Sequence, residues 1–267
     1  MNFLLTNDDG VGALGIWAAA RVLSKFGAVL IVAPIGNCSG YGTSFPPGQT
    51  PTFHPYHRDA GHPANVSAYG VDASPATCAN IGLSGVFGGA PIDMVVSGIN
   101  WGSNMGHDVF YSGTVGAALT AQLMGVPSIA MSLDAPHNAT PNWGGAEWAL
   151  GEVVKMALTQ HDESEPLMFN VNVPNRPAMA LRGLQLTSFS TFSFMNRARF
   201  VQDMEHPGKL KVIATNSINQ AEEGSDTWAV EQGYASVTPI QPMPELMRVV
   251  PWVNTDAITT MTLAYDA

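Results

Sequence analysis

The sequence predicts an α/β protein built on a mostly parallel sheet, and two stretches carry that prediction. In the first, an apolar strand at Asn2–Thr6 precedes a helix at Gly12–Phe26 and a second apolar strand at Ala28–Ala33. In the second, the apolar run Ile92–Val96 leads through a glycine-rich loop into the Ala- and Leu-rich run Val115–Met124. Strand, helix and strand in succession are typical of parallel α/β sheets.

Each of the first three elements has a simple local signal. The helix shows apolar residues at roughly helical spacing, namely Leu14, Ile16, Trp17, Ala20 and Leu23. Gly27 suits the end of this helix, and Pro34 closes the strand that follows. These signals place a parallel sheet at the start of the chain.

The middle of the chain continues the same alternation. Thr43–Pro63 is rich in Pro, Gly and aromatic residues, which predicts a surface loop or β-hairpin beside the cleft. A helix is predicted at Ala73–Leu83, a strand at Pro127–Leu133, a helix at Gly145–Leu158 and a strand at Leu167–Val173. In the last of these strands, Asn170 and Asn172 alternate with apolar residues, so we expect them to hold neighbouring backbone.

The C-terminal part predicts a projecting hairpin. Arg182–Ser190 and Lys209–Thr215 have strand character and flank a polar segment, Phe192–Gly208. A helix at Asp226–Tyr234 and a strand at Ala235–Ile240 follow. We expect one domain over 1–242, with a core over about 1–180 and the hairpin and C-terminal segment over about 181–242. The tail, 243–267, has no assigned role.

Composition excludes several other classes of protein. Hydrophobic residues make up 46% and charged residues 12% of the 267 residues, which argues against a disordered chain. The net charge of −10 argues against partners such as a nucleic acid duplex or an anionic membrane. The two cysteines, Cys38 and Cys78, form no CxxC pattern. With no signal-like N-terminus and no membrane-length apolar run, we expect a cytoplasmic protein.

Oxygen-bearing side chains follow three of the predicted strands. Asp8 and Asp9 follow the first strand, Ser39 lies after the second, and Asn100 follows Ile92–Val96. Because ligands gather beyond the carboxyl ends of parallel strands, we expect these residues to converge on one edge of the sheet. Two packed carboxylates need a counter-charge, and a hard ion such as Mg²⁺ or Mn²⁺ suits this oxygen set. The alternative is that Asp-Asp only forms a turn or caps a helix.

A second pattern, Ser112-Gly113-Thr114, stands where the helix after the glycine-rich loop should begin. Hydroxyl caps and free N–H groups at a helix start form an anion site, which indicates a phosphate cradle. No Lys or Arg occurs from 59 to 154, so a metal ion, the helix terminus and neutral donors would have to balance the phosphate charge. The alternative is that the glycine-rich loop only makes a turn.

Five segments in order resemble the SurE (survival protein E) family of metal-dependent nucleoside-monophosphate phosphatases. They are TNDDG at 6–10, Ser39-Gly40, SGINWGSNMGHDVFYSGT at 97–114, NVNVP at 170–174 and DTWAVEQGYASVTPI at 226–240. The resemblance covers residue 1 to about 242. It implies a Rossmann-like three-layer core and a smaller C-terminal part whose hairpin is exchanged between subunits, giving homodimers and sometimes tetramers.

The resemblance also implies site residues and an activity. One divalent metal ion per subunit would be held by Asp8, Asp9, Ser39 and Asn100, with Asp8 and Asp9 catalytic, and phosphate by Asn104, Ser112, Gly113 and Thr114. The implied reaction is hydrolysis of nucleoside 5′-monophosphates, and of 3′-monophosphates as an extension. Gly10 breaks the DxDxT pattern of phosphoaspartate enzymes, which favours direct attack by water.

Two rival functions remain open at this point. A metal- and nucleotide-binding module without turnover would need the same oxygens, and so would the same chemistry on a different phosphomonoester. The segment DASPATCA at 72–79 differs from the GTPADCV common in the family, which leaves the preferred leaving group open.

Overall fold

A computed structural model of the chain describes residues 1–57, 62–136, 138–159, 167–191, 198–214 and 221–240. The predicted tail at 243–267 and part of the predicted polar segment Phe192–Gly208 lie outside these residues. The strands within them are β1 Asn2–Thr6, β2 Ala28–Pro34, β3 Phe53–Pro55, β4 Val66–Val71, β5 Met94–Trp101, β6 Ser128–Asp134, β7 Met168–Pro174, β8 Leu184–Leu186, β9 Ala198–Gln202, β10 Leu210–Ala214 and β11 Ala235–Ile240. The helices are α1 Leu14–Leu23, α2 Pro75–Leu83, α3 Gly113–Leu123, α4 Trp143–Thr159 and α5 Asp226–Glu231, with short 3-10 turns at Gly106–Phe110 and Ala178–Ala180.

Nine of these strands form one sheet in the order β3-β4-β2-β1-β5-β6-β7-β11-β8. The six strands from β4 to β7 are parallel, β3 and β11 run antiparallel to their neighbours β4 and β7, and β8 is parallel to β11. The chain proceeds from β1 outward to β2 and β4, then returns to place β5 on the other side of β1. This reversal creates a topological switch point between β1 and β5, where open α/β sheets bind ligands.

Helices cover both faces of the sheet, which confirms the predicted mostly parallel α/β fold with three layers. On β1, Phe3 and Leu5 pack in the core cluster beneath α1 and α4, whereas Leu4 packs with Cys78 of α2 and Ala121 of α3. Because both faces of this strand are buried, its sequence is a continuous apolar run rather than an alternating one.

The central strand β5 is longer than predicted and carries Asn100 itself. The predicted strand ended at Val96, but β5 runs from Met94 to Trp101, and its pairing with β6 shifts register between Ser97 and Asn100. Gly98 sits at this irregularity with φ +137°, and an added Cβ would lie 2.3 Å from the Met131 carbonyl oxygen. A bulge of this kind, which glycine permits, changes the direction of the side chains that follow it. Here it directs Asn100 toward the carboxyl end of the sheet.

Two predictions about the strands were wrong. The hairpin consists of β9 and β10, so its first strand lies inside the segment predicted to be polar. Of the predicted strand Arg182–Ser190, only Leu184–Leu186 is a strand, and it joins the main sheet beside β11. Strand β4 was not predicted because its sequence, VSAYGV, carries exposed Ser67 and half-buried Tyr69 between its apolar residues.

Among the described residues, no helix combines the length and apolar character that a membrane crossing requires.

Candidate active site

The candidate site lies at the carboxyl ends of β1 and β5, beside the switch point. Asn7 shapes the turn after β1: its Oδ1 accepts a hydrogen bond from the Gly10 N–H at 3.2 Å, and its Nδ2 donates to the Gly10 carbonyl at 3.0 Å. Gly10 has φ +105°, a conformation that favours glycine. This turn presents Asp8 and Asp9 at the rim. Sequence reasoning missed the role of Asn7, although Asn three residues before Gly is a known turn signal.

Asp8 lies against the start of α3. The Thr114 hydroxyl donates to Asp8 Oδ1 at 2.6 Å, and Asp8 is 3% exposed. Burial raises the pKa of the Asp8 carboxyl, while hydrogen bonds from the Thr114 hydroxyl and from the Gly113 and Thr114 backbone oppose that rise. The first strand and the third helix therefore meet at one buried carboxylate.

Asp9, in the turn after β1, meets the end of β5 near Asn100 across the switch point. Asp9 Oδ2 accepts a hydrogen bond from the Trp101 backbone N–H at 3.1 Å, which ties the turn after β1 to the end of β5. Asn100 Nδ2 donates to the Gly102 carbonyl at 2.7 Å, which fixes the orientation of the amide. The role of the Trp101 N–H had no signal in the sequence, because any backbone amide could have served.

Ser39 lies in an exposed loop after β2 that is anchored next to Asp8. The Cys38 backbone N–H donates to the Asp8 carbonyl at 2.7 Å, and the Ser39 N–H donates to Asn37 Oδ1 at 3.0 Å. The loop then contacts the segment before α3, because the Gly42 N–H donates to the Tyr111 carbonyl at 3.1 Å. All three predicted strand ends therefore contribute to the same rim.

The donor set fits a hard divalent cation. Among the described residues, no Lys, Arg or His forms an ion pair with Asp8, although this carboxylate is buried. A cation beside it would offset the desolvation that raises its pKa. Carboxylate and amide oxygens are the ligands that Mg²⁺ and Mn²⁺ prefer. Asp8, Asp9 and Asn100 could hold such an ion, with Ser39 as the ligand from the exposed loop.

The helix start predicted to bind phosphate has the expected cap. Ser112 is the N-cap of α3, and its Oγ accepts a hydrogen bond from the Val115 N–H at 3.1 Å. Gly113 follows at a point where an added Cβ would lie 2.8 Å from Asp8 Cβ. A helix start of this kind attracts anions. Here the Gly113 and Thr114 N–H groups bond Asp8, as does the Thr114 hydroxyl, so the helix start predicted to bind phosphate is in direct contact with the Asp8 carboxylate.

Asn104 is engaged mainly with the protein. Its backbone N–H donates to Asn172 Oδ1 at 2.7 Å, and its side-chain Nδ2 donates to Ser132 Oγ at 2.9 Å. Its carbonyl accepts from Asn170 Nδ2 at 2.8 Å and from Asn172 Nδ2 at 3.0 Å. The prediction that Asn170 and Asn172 hold neighbouring backbone is confirmed. They fix the start of the loop that leads to α3.

Two cavities of about 260 Å³ each lie away from this rim. One is lined by residues at the amino ends of β1 and β2, including Asn2 and Val29. The other lies between α1 and β4 and is lined by Trp17, Tyr56 and His62 among others.

Comparison with known proteins identifies the relatives of this chain. A family model described as Survival protein SurE matches residues 3–196. The 5′-nucleotidase SurE of Geotalea uraniireducens is 39% identical over 245 residues, which cover 90% of this chain and 92% of that protein. The 5′-nucleotidase SurE 1 of Thermus thermophilus is 37% identical over 242 residues, with 90% of this chain and 91% of that protein covered.

A solved structure shares the fold. The crystal structure of the SurE protein from Aquifex aeolicus matches with a TM-score of 0.74 at 30% sequence identity. The match covers 98% of this chain and 98% of that chain. The similarity therefore extends over both the sheet and the C-terminal part.

Proposed function

The chain belongs to the SurE family, and from that membership we propose that it is a 5′-nucleotidase, a phosphoric monoester hydrolase that depends on a divalent metal ion. Its substrates are nucleoside 5′-monophosphates, and we extend the proposal to 3′-monophosphates. The products are a nucleoside and inorganic phosphate. The similarity to proteins named 5′-nucleotidase supports the reaction class.

One observation carries the proposal: the buried Asp8 carboxylate touches the start of α3 through Thr114 at 2.6 Å. A cation held by Asp8 would thus be adjacent to an anion held by the helix start. Phosphoryl transfer needs this arrangement, because its transition state spreads negative charge over the phosphoryl oxygens. No Lys or Arg between 59 and 154 can supply that charge locally.

We assign the ion to Asp8, Asp9, Asn100 and Ser39, with one ion per subunit and Mg²⁺ or Mn²⁺ as the preferred metals. When bound, the ion supplies Lewis acidity that polarises a phosphoryl oxygen and makes water more acidic. Asn100 contributes its Oδ1 atom, because its Nδ2 is bonded to the Gly102 carbonyl. Asp9 is half-buried, so its carboxylate is accessible to the attacking water and can orient it.

The chain's own donors hold the phosphate. The Ser112 hydroxyl hydrogen and the positive end of the α3 dipole hold the equatorial oxygens, which keeps the ester in line for attack by water. Gly113 lets α3 begin directly against Asp8, because an added Cβ would lie 2.8 Å from Asp8 Cβ. Thr114 holds Asp8, and the Asn104 side chain ties the loop to Ser132 of β6. Direct attack by water is favoured over a phosphoaspartate because Gly10 occupies the second carboxylate position of the DxDxT pattern.

Exposed aromatic side chains beside the rim support a nucleoside as the leaving group. Tyr41 and Tyr111 are 55% and 49% exposed, and their segments are joined by the bond between the Gly42 N–H and the Tyr111 carbonyl. Phe110 next to them is 78% exposed. Exposed rings grouped in adjoining segments are typical of a binding surface, and base stacking on aromatic rings is a common use of such rings.

The experiment is phosphate release from 5′-AMP and 3′-AMP with Mg²⁺, with Mn²⁺ and with EDTA. We expect release from 5′-AMP that requires the metal and stops with EDTA. Binding of nucleotide without release would support a sensing module instead. Release from sugar phosphates but from neither nucleotide would contradict the proposed substrate class.

We also propose that the chain forms a homodimer, with a tetramer as a further assembly. Phe200 and Val212 are opposite each other on the β9–β10 hairpin, and Leu210 lies on the same face. They are 71%, 50% and 65% exposed, and an isolated two-stranded hairpin is marginally stable in water. Sedimentation should give at least a dimer for the wild type and smaller species for a Leu210→Lys/Val212→Lys variant. A wild-type monomer at micromolar concentration would contradict this proposal.

A cytoplasmic location completes the proposal. Cys38 and Cys78 are both free thiols in the structure. Free thiols persist in reducing compartments and are rarer in oxidising ones. Fractionation with a tagged chain tests the location, and recovery in a secreted fraction would contradict it.

A further inference from the structure

Asp226 is a fully buried carboxylate that no catalytic role above uses. Its Oδ2 accepts a hydrogen bond from the Gly106 backbone N–H at 2.8 Å, across 120 residues of sequence. Its Oδ1 accepts from the Ser190 N–H at 2.9 Å and from the Thr227 N–H at 2.7 Å. A charged acceptor makes hydrogen bonds about twice as strong as a neutral one. One carboxylate therefore joins the loop before α3 to the C-terminal part.

The two sides that Asp226 joins have different functions. Gly106 begins the 3-10 turn Gly106–Phe110, which ends two residues before the Ser112 cap of α3. On the other side, Ser190 and Ser225 flank the segment that contains the β9–β10 hairpin, here called the hairpin arm. The base of this arm is closed by the bridge between Ser188 and Ser225.

The loop from Gly102 to Ser112, here called the phosphate loop, is held at both ends and at two points between them. At its ends, the Gly102 N–H donates to the Leu133 carbonyl at 3.0 Å, and the Tyr111 carbonyl accepts from the Gly42 N–H at 3.1 Å. Asn104 is held from the sheet by Asn170 and Asn172. Among the described residues, Asp226 is the side chain that accepts the hydrogen bond from the Gly106 backbone N–H. Without Asp226 the amino end of the 3-10 turn would lose its own attachment and would be held only through Gly102 and Asn104 before it and Tyr111 after it.

We propose that Asp226 is a positioning residue for the phosphate loop, acting from the base of the hairpin arm. This inference rests on the proposed function, because it concerns the loop that leads to the phosphate-binding helix start. Asp226 places the 3-10 turn, and the turn places Ser112 and Gly113. The carboxylates proposed to hold the metal lie in the turn after β1, and the hydrogen bonds of Asp226 go to Gly106, Ser190 and Thr227 instead.

The Asp226→Asn variant tests this selectively. Its side-chain oxygen can keep the bonds from Ser190 and Thr227, so the base of the arm stays closed. Its NH₂ group then faces the Gly106 N–H, and two donors cannot bond. We expect kcat/KM to fall by about 10-fold or more, mainly through a higher KM. The inhibition constant of inorganic phosphate should rise by a similar factor, and the metal concentration for half-maximal activity should stay unchanged.

Ser190→Ala is the matched control. It removes the hydroxyl that bonds Thr227 Oγ1 at 2.7 Å in the same buried place, but leaves the Gly106 bond intact. We expect the kcat/KM of Ser190→Ala to remain within about twofold of wild type, even if its melting temperature falls as much as that of Asp226→Asn. Equal kinetic losses in both variants, or a folded Asp226→Asn variant with wild-type kcat/KM, would overturn the proposal.

Two readouts separate this inference from the proposed function. Hydrogen exchange should show slow exchange of the Gly106 amide in the wild type and faster exchange across 102–112 in Asp226→Asn, but not in Ser190→Ala. Binding of inorganic phosphate with Mn²⁺ should weaken only in Asp226→Asn. A wild type without turnover would contradict the nucleotidase, whereas unchanged exchange and phosphate binding in Asp226→Asn would contradict the role of Asp226.

Discussion

Asp8→Asn should remove metal-dependent phosphate release while leaving the metal-free protein at least as stable as the wild type. The substitution keeps the shape of the side chain and an oxygen that can accept the Thr114 hydroxyl bond. It removes the charge that would hold the cation. We expect kcat/KM to fall by about 10³-fold or more, since both cation binding and transition-state charge stabilisation are lost.

The stability result follows from the sign of the pKa change. Burial raises the pKa of Asp8, so the folded chain binds this proton more tightly than the unfolded chain. The contribution to stability is present below the unfolded-state pKa and is lost as the pH rises toward the folded-state pKa. As the pH rises, the metal-free wild type therefore loses a stabilisation that the Asp8→Asn variant, which has no carboxyl proton to lose, retains.

Melting temperatures with EDTA and with Mn²⁺ test both parts. In EDTA the variant should melt at the wild-type temperature or above it, and Mn²⁺ should raise only the wild-type value. Asp93→Asn is the control. Asp93 is exposed and immediately precedes the amino end of β5, whereas Asn100 lies near the carboxyl end of that strand. An equal Mn²⁺ effect on wild type and Asp8→Asn would contradict the assignment of Asp8 as a metal ligand.

Local patterns in the sequence were sufficient for the main elements of the fold. The apolar run at Asn2–Thr6 and the helical spacing from Leu14 to Leu23 match β1 and α1 in the structure. β1 is buried on both faces, and α1 packs its apolar residues into the core cluster on one face of the sheet, so the apolar positions of both elements follow their burial. Because ligands gather beyond the carboxyl ends of parallel strands, the sequence then predicted that Asp8, Asp9 and Asn100 lie at the same end of the sheet.

The misses have the opposite cause, because they depend on partners far away in sequence. The pairing of β8 with β11 and of β9 with β10 is decided by tertiary contacts, and a short exposed strand carries little periodicity. The contact between Asp8 and Thr114 joins residues 106 positions apart. Nothing in the spacing of either motif indicates which oxygen meets which donor, and the bond from Gly106 to Asp226 was equally hidden.

Gly113→Ala should lower kcat/KM by about 10²-fold, because the new methyl group forces the metal and phosphate sites apart. An added Cβ would lie 2.8 Å from Asp8 Cβ, 3.0 Å from Asp8 Oδ2 and 3.1 Å from Pro75 Cγ. Asp8 Cβ is fixed by the backbone of the turn after β1, so a change of side-chain rotamer cannot move it away. Either α3 or Asp8 must move, and we expect an overpacking cost of about 1–3 kcal/mol in unfolding free energy.

The matched control is Gly144→Ala, near the start of α4. There an added Cβ would meet only Asn142 Oδ1, at the ordinary distance of 3.4 Å, so activity should stay within about twofold of wild type. For Gly113→Ala, the inhibition constant of phosphate and the metal requirement should both worsen, because the methyl group acts on α3 and Asp8 together. A folded Gly113→Ala variant with wild-type values for both would mean that α3 and Asp8 need not touch. The direct contact that carries the proposed nucleotidase would then have no functional role.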